Sequence, residues 1–395
     1  MSEVRLGADS PAKASAIVLL LLMVLLGVFP LDVILPSFPA LSAHFDTRSS
    51  DIALSISIFA IGVSISQFFL GPLSDQIGRK SLLIMGLMIS ILGAIGCANA
   101  VEFATFMIFR VLQALGCGCF VLSNALVQDI FSSEERDRVR ILMTSASGLF
   151  ISLSPLAGTL LQSTLGWTGS FYIFSLIAAA VLLHAVLTLP LPLNTVARRA
   201  PWLSSYISIL FNAQFMGLAL IAAIAFTCHF SFIAVSPIIF LDIFELSQLQ
   251  FSLALLGYGV AYVIGGLIAH RLQRTMTHRQ QLLVGLLLIG AAGLLLICLS
   301  LTTERGFFVV LLPMLICTAG ITITRPVATS RAMDIFPDNA GAAASMLNTV
   351  VFVSGGIASA LVGLMISSFE IVLATVFIVL SLTGFLIVHT LFGSR

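Results

Sequence analysis

Long apolar runs alternate with short polar breaks along this chain. The runs lie near 14–41, 52–70, 81–100, 104–131, 138–163, 168–190, 211–238, 249–270, 281–301, 307–333, 341–367 and 369–391. A helix that crosses a bilayer needs roughly 20 apolar residues at about 1.5 Å rise each. Every run meets that length, so the pattern predicts an all-α membrane protein with twelve transmembrane helices. Some runs exceed the bilayer thickness, which implies tilt or protrusion. The first is too long for a signal-peptide core and no small-residue cleavage site follows it, so it is expected to be retained.

Composition narrows the function classes. Of 395 residues, 59% are hydrophobic and 9% charged, with a mean hydropathy of +1.14. Soluble domains carry about 25% charged residues. This chain has too little polar surface to cover a globule in water, which excludes a soluble enzyme. No paired carboxylates, Ser/His constellation or metal cluster points to a membrane enzyme either. There is no basic arm, so nucleic acid is not an expected partner; the expected partners are the bilayer, a small-molecule substrate and protons. The six cysteines all fall in apolar runs without ligand spacing. Cys117-Gly118-Cys119 lacks His or carboxylate neighbours, so all six are expected to be small buried hydrophobes, with no metal.

The basic residues then set orientation. With a cytoplasmic N-terminus, fourteen of the 18 Lys and Arg fall in inside segments, and Arg48 and Arg305 fall outside. Arg110 and Arg325 lie within runs. The alternation predicts both termini in the cytoplasm. The least apolar stretch between runs, residues 191–206, reads as a cytoplasmic linker between an N-terminal six-helix bundle (1–190) and a C-terminal one (207–395). The halves echo each other. Leu35-Pro36 matches Ser236-Pro237, GPLSDQIGRK from Gly71 matches GLIAHRLQRT from Gly266, and Asp129-Ile130-Phe131 matches Asp334-Ile335-Phe336. Duplicated halves are typical of transporters, with substrate bound between them near the midplane.

The stretch GPLSDQIGRKSLL, residues 71–83, is the most specific motif. Gly71 permits close helix approach, Gly78 a tight turn, and Arg79 and Lys80 an inside anchor. The motif resembles the loop signature of the major facilitator superfamily. FRVLQALGCG, residues 109–118, resembles the helix-4 motif of its proton-driven members, with Arg110, Gln113 and Gly116 matching. SPLAG, residues 154–158, resembles a degraded helix-5 antiporter motif, matching at Pro155 and Gly158. Together with LDVILPSFPAL at 31–41 and SPIIF at 236–240, the chain is similar to the Bcr/CflA group of bacterial drug/proton antiporters. The resemblance implies the major facilitator fold, and a rim latch in which Asp75, Arg79 and Asp129 meet at the cytoplasmic face.

Ionisable side chains at bilayer depth cost several kcal/mol and are functional candidates by default. Asp32 lies about 9 residues, or roughly 14 Å, from the outer end of helix 1, and Arg110 about 6 residues, or roughly 9 Å, from that of helix 4. Asp32 is expected to carry the coupled proton and Arg110 to tune it, against a static salt bridge between helices 1 and 4. Arg325, roughly 12 Å from the cytoplasmic end of helix 10, is expected either to attract carboxylates in a cavity or to snorkel or pair with Asp334. His229, Gln113, Asn124, Tyr258 and Tyr262 are the remaining candidate cavity liners. His184, His270, His278 and His389 are expected to be solvated near cytoplasmic ends.

The expectation is a proton-coupled exporter of small amphipathic molecules or drugs across the bacterial inner membrane. It works by alternating access, with the proton as coupling ion and no cofactor, as a monomer. No G-x-x-x-x-G-K-[ST] loop is present to drive it with ATP. The alternatives are a dedicated exporter of an anionic metabolite such as a carboxylate siderophore, and a passive uniporter or channel.

Overall fold

A computed structural model describes residues 11–189, 202–272, 274–304, 306–336 and 339–392. Among these, twelve helical segments are long and apolar enough to cross a membrane, and no strand occurs. The first begins as α1 (Pro11–Asp32), breaks, passes through a 3₁₀ turn at Leu35–Ser37 and resumes as α2 (Phe38–Phe45). Then come α3 (Ser49–Ile77), α4 (Arg79–Ala98), α5 (Phe103–Cys117) with α6 (Leu122–Ile130), α7 (Ser133–Leu165) and α8 (Thr168–Thr188). The rest comprises α9 (Trp202–Leu210), α10 (Ala213–Pro237), α11 (Gln248–Leu272), α12 (His278–Thr302), α13 (Phe307–Met333), α14 (Ala340–Leu364) and α15 (Phe369–Phe392). Most of the expected linker, 191–201, lies outside the described residues; its end is the start of α9.

Large apolar side chains cover the outer faces of these helices, among them Leu92, Ile108, Leu176, Leu187, Leu294 and Leu386. In water such surface would drive association; in hydrocarbon it is the solvated face. The inner faces are built from small residues. A Cβ on Gly93 would stand 2.3 Å from the Gln113 backbone nitrogen, and one on Gly116 2.3 Å from that of Ser90. These glycines let α4 and α5 meet backbone to backbone. Gly285 and Gly320 do the same for α12 and α13. Lipid tails are as apolar as leucine, so close van der Waals contact between such stripes drives helix association in a membrane.

Contacts gather the chain into two units, Met1–Ser37 with Gly62–Ala200, and Phe38–Ile61 with Pro201–Arg395. The division departs from the expected split at residues 38–61, which group with the C-terminal helices. The cause is local: Ser57 and Ser359 share a 2.7 Å hydroxyl hydrogen bond, and Gly356 lies close under the Ser57 carbonyl and Ile61.

Two expectations change. The motif at 71–83 is not a loop: α3 runs through Gly71 to Ile77, and the chain turns at Gly78 alone, whose φ of 96° suits a residue without Cβ. Cys298 is exposed on α12, while the other five cysteines are buried.

The glycine of the helix-5 motif explains the break in the first helix. Gly158 of α7 sits against the interruption between α1 and α2; a Cβ there would stand 2.2 Å from the Val33 carbonyl oxygen. Gly158→Val should therefore cost about 1–3 kcal/mol of stability by overpacking and lower the thermal unfolding midpoint of the purified protein. Gly363→Ala, where nothing lies within 4 Å, should leave the midpoint within experimental scatter.

Candidate functional site

In the first unit the chemistry collects at the α1 break. Pro30, which lacks an N–H, lies within the last turn, and the helix ends at Asp32. A helix end leaves carbonyls without intrahelical donors, which is costly where no water is present. Arg110 of α5 supplies one donor: its Nη2 donates to the Pro30 carbonyl at 3.0 Å. Its Nη1 donates to Gln113 Oε1 at 2.9 Å, and the guanidinium lies 5.8 Å from the centre of the Phe171 ring. A cation at a helix C-terminus also meets the negative end of the helix dipole.

Asp32 and Arg110 therefore share a region, but the structure does not join them. The Asp32 carboxylate makes no hydrogen bond or ion pair with any other described residue, and it is only partly buried. Arg110, with no exposed surface, is held by backbone and amide instead. The static salt bridge weighed from the sequence is not formed, because Arg110 reaches the chain two residues earlier, at Pro30. Gln113, expected to line an open cavity, is buried and engaged by Arg110. The space that Pro30, Arg110 and Gln113 enclose with Phe29, Ile34 and Ser170 is about 10 Å³, which is near the minimum for one water molecule and far below a substrate.

Two of the three residues of the expected rim group are in contact. Arg79 forms an ion pair with Asp129 and donates to the Ala125 carbonyl at 2.8 Å, tying α4 to α6. Lys80 Nζ donates to the Val186 carbonyl at 2.9 Å and to that of Leu189, capping α8. The side chains of Asp75 and Asn124 lie outside the described residues. Two further ties were not anticipated. Lys13 pairs with Glu135 at 2.7 Å, joining the starts of α1 and α7. His184, expected to be solvated, shares a 2.7 Å hydrogen bond with Ser15. Glu370, with 4% of its surface exposed, is a further carboxylate within a span, and a deeply buried one. It sits in the first turn of α15, where it is easily counted as a loop acid.

The second unit has a separate polar and aromatic cluster on α10, α11 and α13. His229 Nδ1 and the Tyr258 hydroxyl lie 2.7 Å apart, with the rings stacked at 5.6 Å. Thr318 of α13 donates to the Met314 carbonyl at 2.7 Å. Tyr262 stands 6.0 Å from the imidazole, and Phe226 6.3 Å. Arg325 lies over the opposite neighbour of this group, its guanidinium 4.9 Å from the centre of the Phe226 ring. The sequence-predicted His229, Tyr258, Tyr262 and Arg325 are thus brought together. Phe226, Phe352 and Thr318 were missed; Phe226 lies one helical turn before His229, the only sequence signal that placed it here.

Two outcomes test this geometry. The Lys13 ammonium and the Ser132 backbone N–H hold the Glu135 carboxyl down at about 2. A folded value below the ordinary one means the pair contributes stability fully above the usual glutamate range and loses it as pH falls through about 2. Titration of a ¹³C-labelled Glu135 carboxyl should show that low midpoint, and Lys13→Met should move it upward. Arg110→Met should leave the Pro30 carbonyl and Gln113 unpaired and cost about 1–3 kcal/mol, read as a lower thermal midpoint; an unchanged midpoint would contradict the capping role.

Comparison with known proteins agrees with this architecture. The family model described as Major Facilitator Superfamily matches residues 20–360. A bicyclomycin resistance protein homolog from Haemophilus influenzae is 26% identical over 352 residues, covering 85% of this chain and 86% of that one. The uncharacterized MFS-type transporter YdgK of Bacillus subtilis is 26% identical over 356 residues, covering 88% of each. Multidrug resistance protein MdtL of Salmonella typhimurium is 26% identical over 329 residues, covering 82% of each. Among solved structures, a D-xylose-proton symporter superposes with a TM-score of 0.73 at 17% identity, over 94% of this chain and 97% of that one, and shows the same fold. With twelve apolar spans among the described residues and a family match over most of its length, the chain belongs to the major facilitator superfamily of membrane transporters.

Proposed function

We propose that this transporter is a proton-coupled exporter of small amphipathic molecules in the bacterial inner membrane, with both termini in the cytoplasm. The observation that carries the proposal is Asp32: a carboxylate with no partner among the described residues, at the break of the first transmembrane helix. An unpaired charge at this depth costs several kcal/mol, and taking up a proton removes the charge. Coupling follows if the protonated and charged forms favour different conformations, one open to each side of the membrane. Arg110 is a positioning residue in this scheme: it fixes the Pro30 carbonyl and thereby the backbone that carries Asp32.

Energy is sufficient. One proton moving inward down ~100 mV contributes ~2.3 kcal/mol, enough for a nearly fiftyfold gradient of one neutral substrate per proton. Relatives named for bicyclomycin and multidrug resistance support export as the direction and drugs or drug-like molecules as the substrate class. The preponderance of Lys and Arg in one set of alternate connections supports the orientation.

Everted membrane vesicles test the proposal. A lipophilic dye should accumulate when respiration acidifies the lumen, and a protonophore should abolish accumulation. Asp32→Asn should reduce proton-driven accumulation to the background of empty vesicles with the protein still in the membrane. Accumulation that survives the protonophore would identify a uniporter, and full activity of Asp32→Asn would remove Asp32 from the coupling step.

A further inference from the structure

The second unit contains a cation that no described acid balances. Arg325 lies on α13 beside Pro326, partly exposed, within a transmembrane segment. The acid nearest to it along its own helix, Asp334, is occupied by Arg331 at 3.6 Å, so the pairing weighed from the sequence is not made. The ring under Arg325 is Phe226, whose neighbour one turn along α10 is His229, and neither is an acid. Desolvating a guanidinium costs several kcal/mol unless it is paired. Stacking on a ring recovers part of that cost and holds the fork flat. A fork held by its face leaves its N–H edges available, and two parallel N–H donors match one carboxylate.

The surroundings specify the rest of the ligand. Phe226 stacks on Phe230 with ring centres 5.3 Å apart and lies 4.9 Å from Phe352. These rings form an apolar wall beside the cation. Resting on the exporter proposal above, we propose that Arg325 is the carboxylate-binding residue of the substrate site, and that the exported molecules are organic acids with an aromatic body. The acid group bridges the Arg325 fork and the ring system packs on Phe226 and its neighbours. Export of such an anion and entry of a proton both run down an inside-negative potential, so the two proposals are energetically consistent.

Equilibrium binding separates this proposal from the transport mechanism, because it requires no gradient. Tritiated 2-naphthoate and 2-naphthamide, nearly isosteric and differing in charge, would be titrated onto the full chain in nanodiscs. The wild type should bind the acid at least about tenfold tighter than the amide, the contribution of a charge-assisted pair. Arg325→Gln should bring the ratio to about one by weakening the acid alone. Arg325→Lys, which keeps charge without the planar fork, should retain an intermediate ratio and guards against a Gln variant that fails to fold. Equal wild-type affinities, no saturable binding of the acid, or a preference that survives Arg325→Gln would each overturn the proposal. Intact acid preference with protonophore-insensitive transport would instead overturn the proton-coupled exporter and leave this site standing.

Discussion

A helix interrupted inside hydrocarbon must find donors for the carbonyls it releases, and the first unit is organised around meeting that demand at Pro30. The donor is Arg110, fully buried and aimed at the Pro30 carbonyl from α5. The same break is accommodated from the other side by Gly158, where any side chain would strike the Val33 carbonyl. Asp32 is the terminal residue of the interrupted helix, so its setting follows from these two contacts. The residue of the helix-4 motif and that of the helix-5 motif thus serve one local structure, although they lie far apart in the chain.

The second unit solves a related problem differently. Its central helix α10 is buried along almost its whole length and continues past Pro237 through a π-helical turn at Ile238–Ile243. Some polar groups of this unit are satisfied locally: Thr318 donates to the Met314 carbonyl, and His229 Nδ1 shares a hydrogen bond with the Tyr258 hydroxyl. Nearby stands a guanidinium that has a ring but no acid among the described residues. Binding sites in this fold class arise where such satisfaction stops, since a group left incomplete in a dry interior has most to gain from a ligand.

Helix packing explains why the two units tolerate so many polar residues. Glycine stripes bring α4 against α5 and α12 against α13, so the contact is made by backbone and small side chains rather than by large apolar ones. The large leucines and isoleucines are released to the lipid face. Aromatic side chains are then free to gather at sites, as Phe226, Phe230 and Phe352 do, instead of filling a common core.

The sequence by itself determined the spans, the superfamily motif and the identity of the intramembrane charges, because length, hydropathy and charge are properties of residues taken one at a time or in short windows. Asp32, Arg110, Arg325, His229 and Tyr258 were all legible as unusual for that reason. Their partners were not. Arg110 and Asp32 stand at similar depth, yet helix rotation and the break after Asp32 direct the guanidinium to Pro30. Asp334, weighed from the sequence as a partner for Arg325, pairs instead with Arg331, three residues before it. Phe226 carries no signal beyond its place one turn before His229. Only the tertiary structure decided these contacts, since each depends on the angle at which two helices distant in sequence face each other, and period and composition carry no information about that angle.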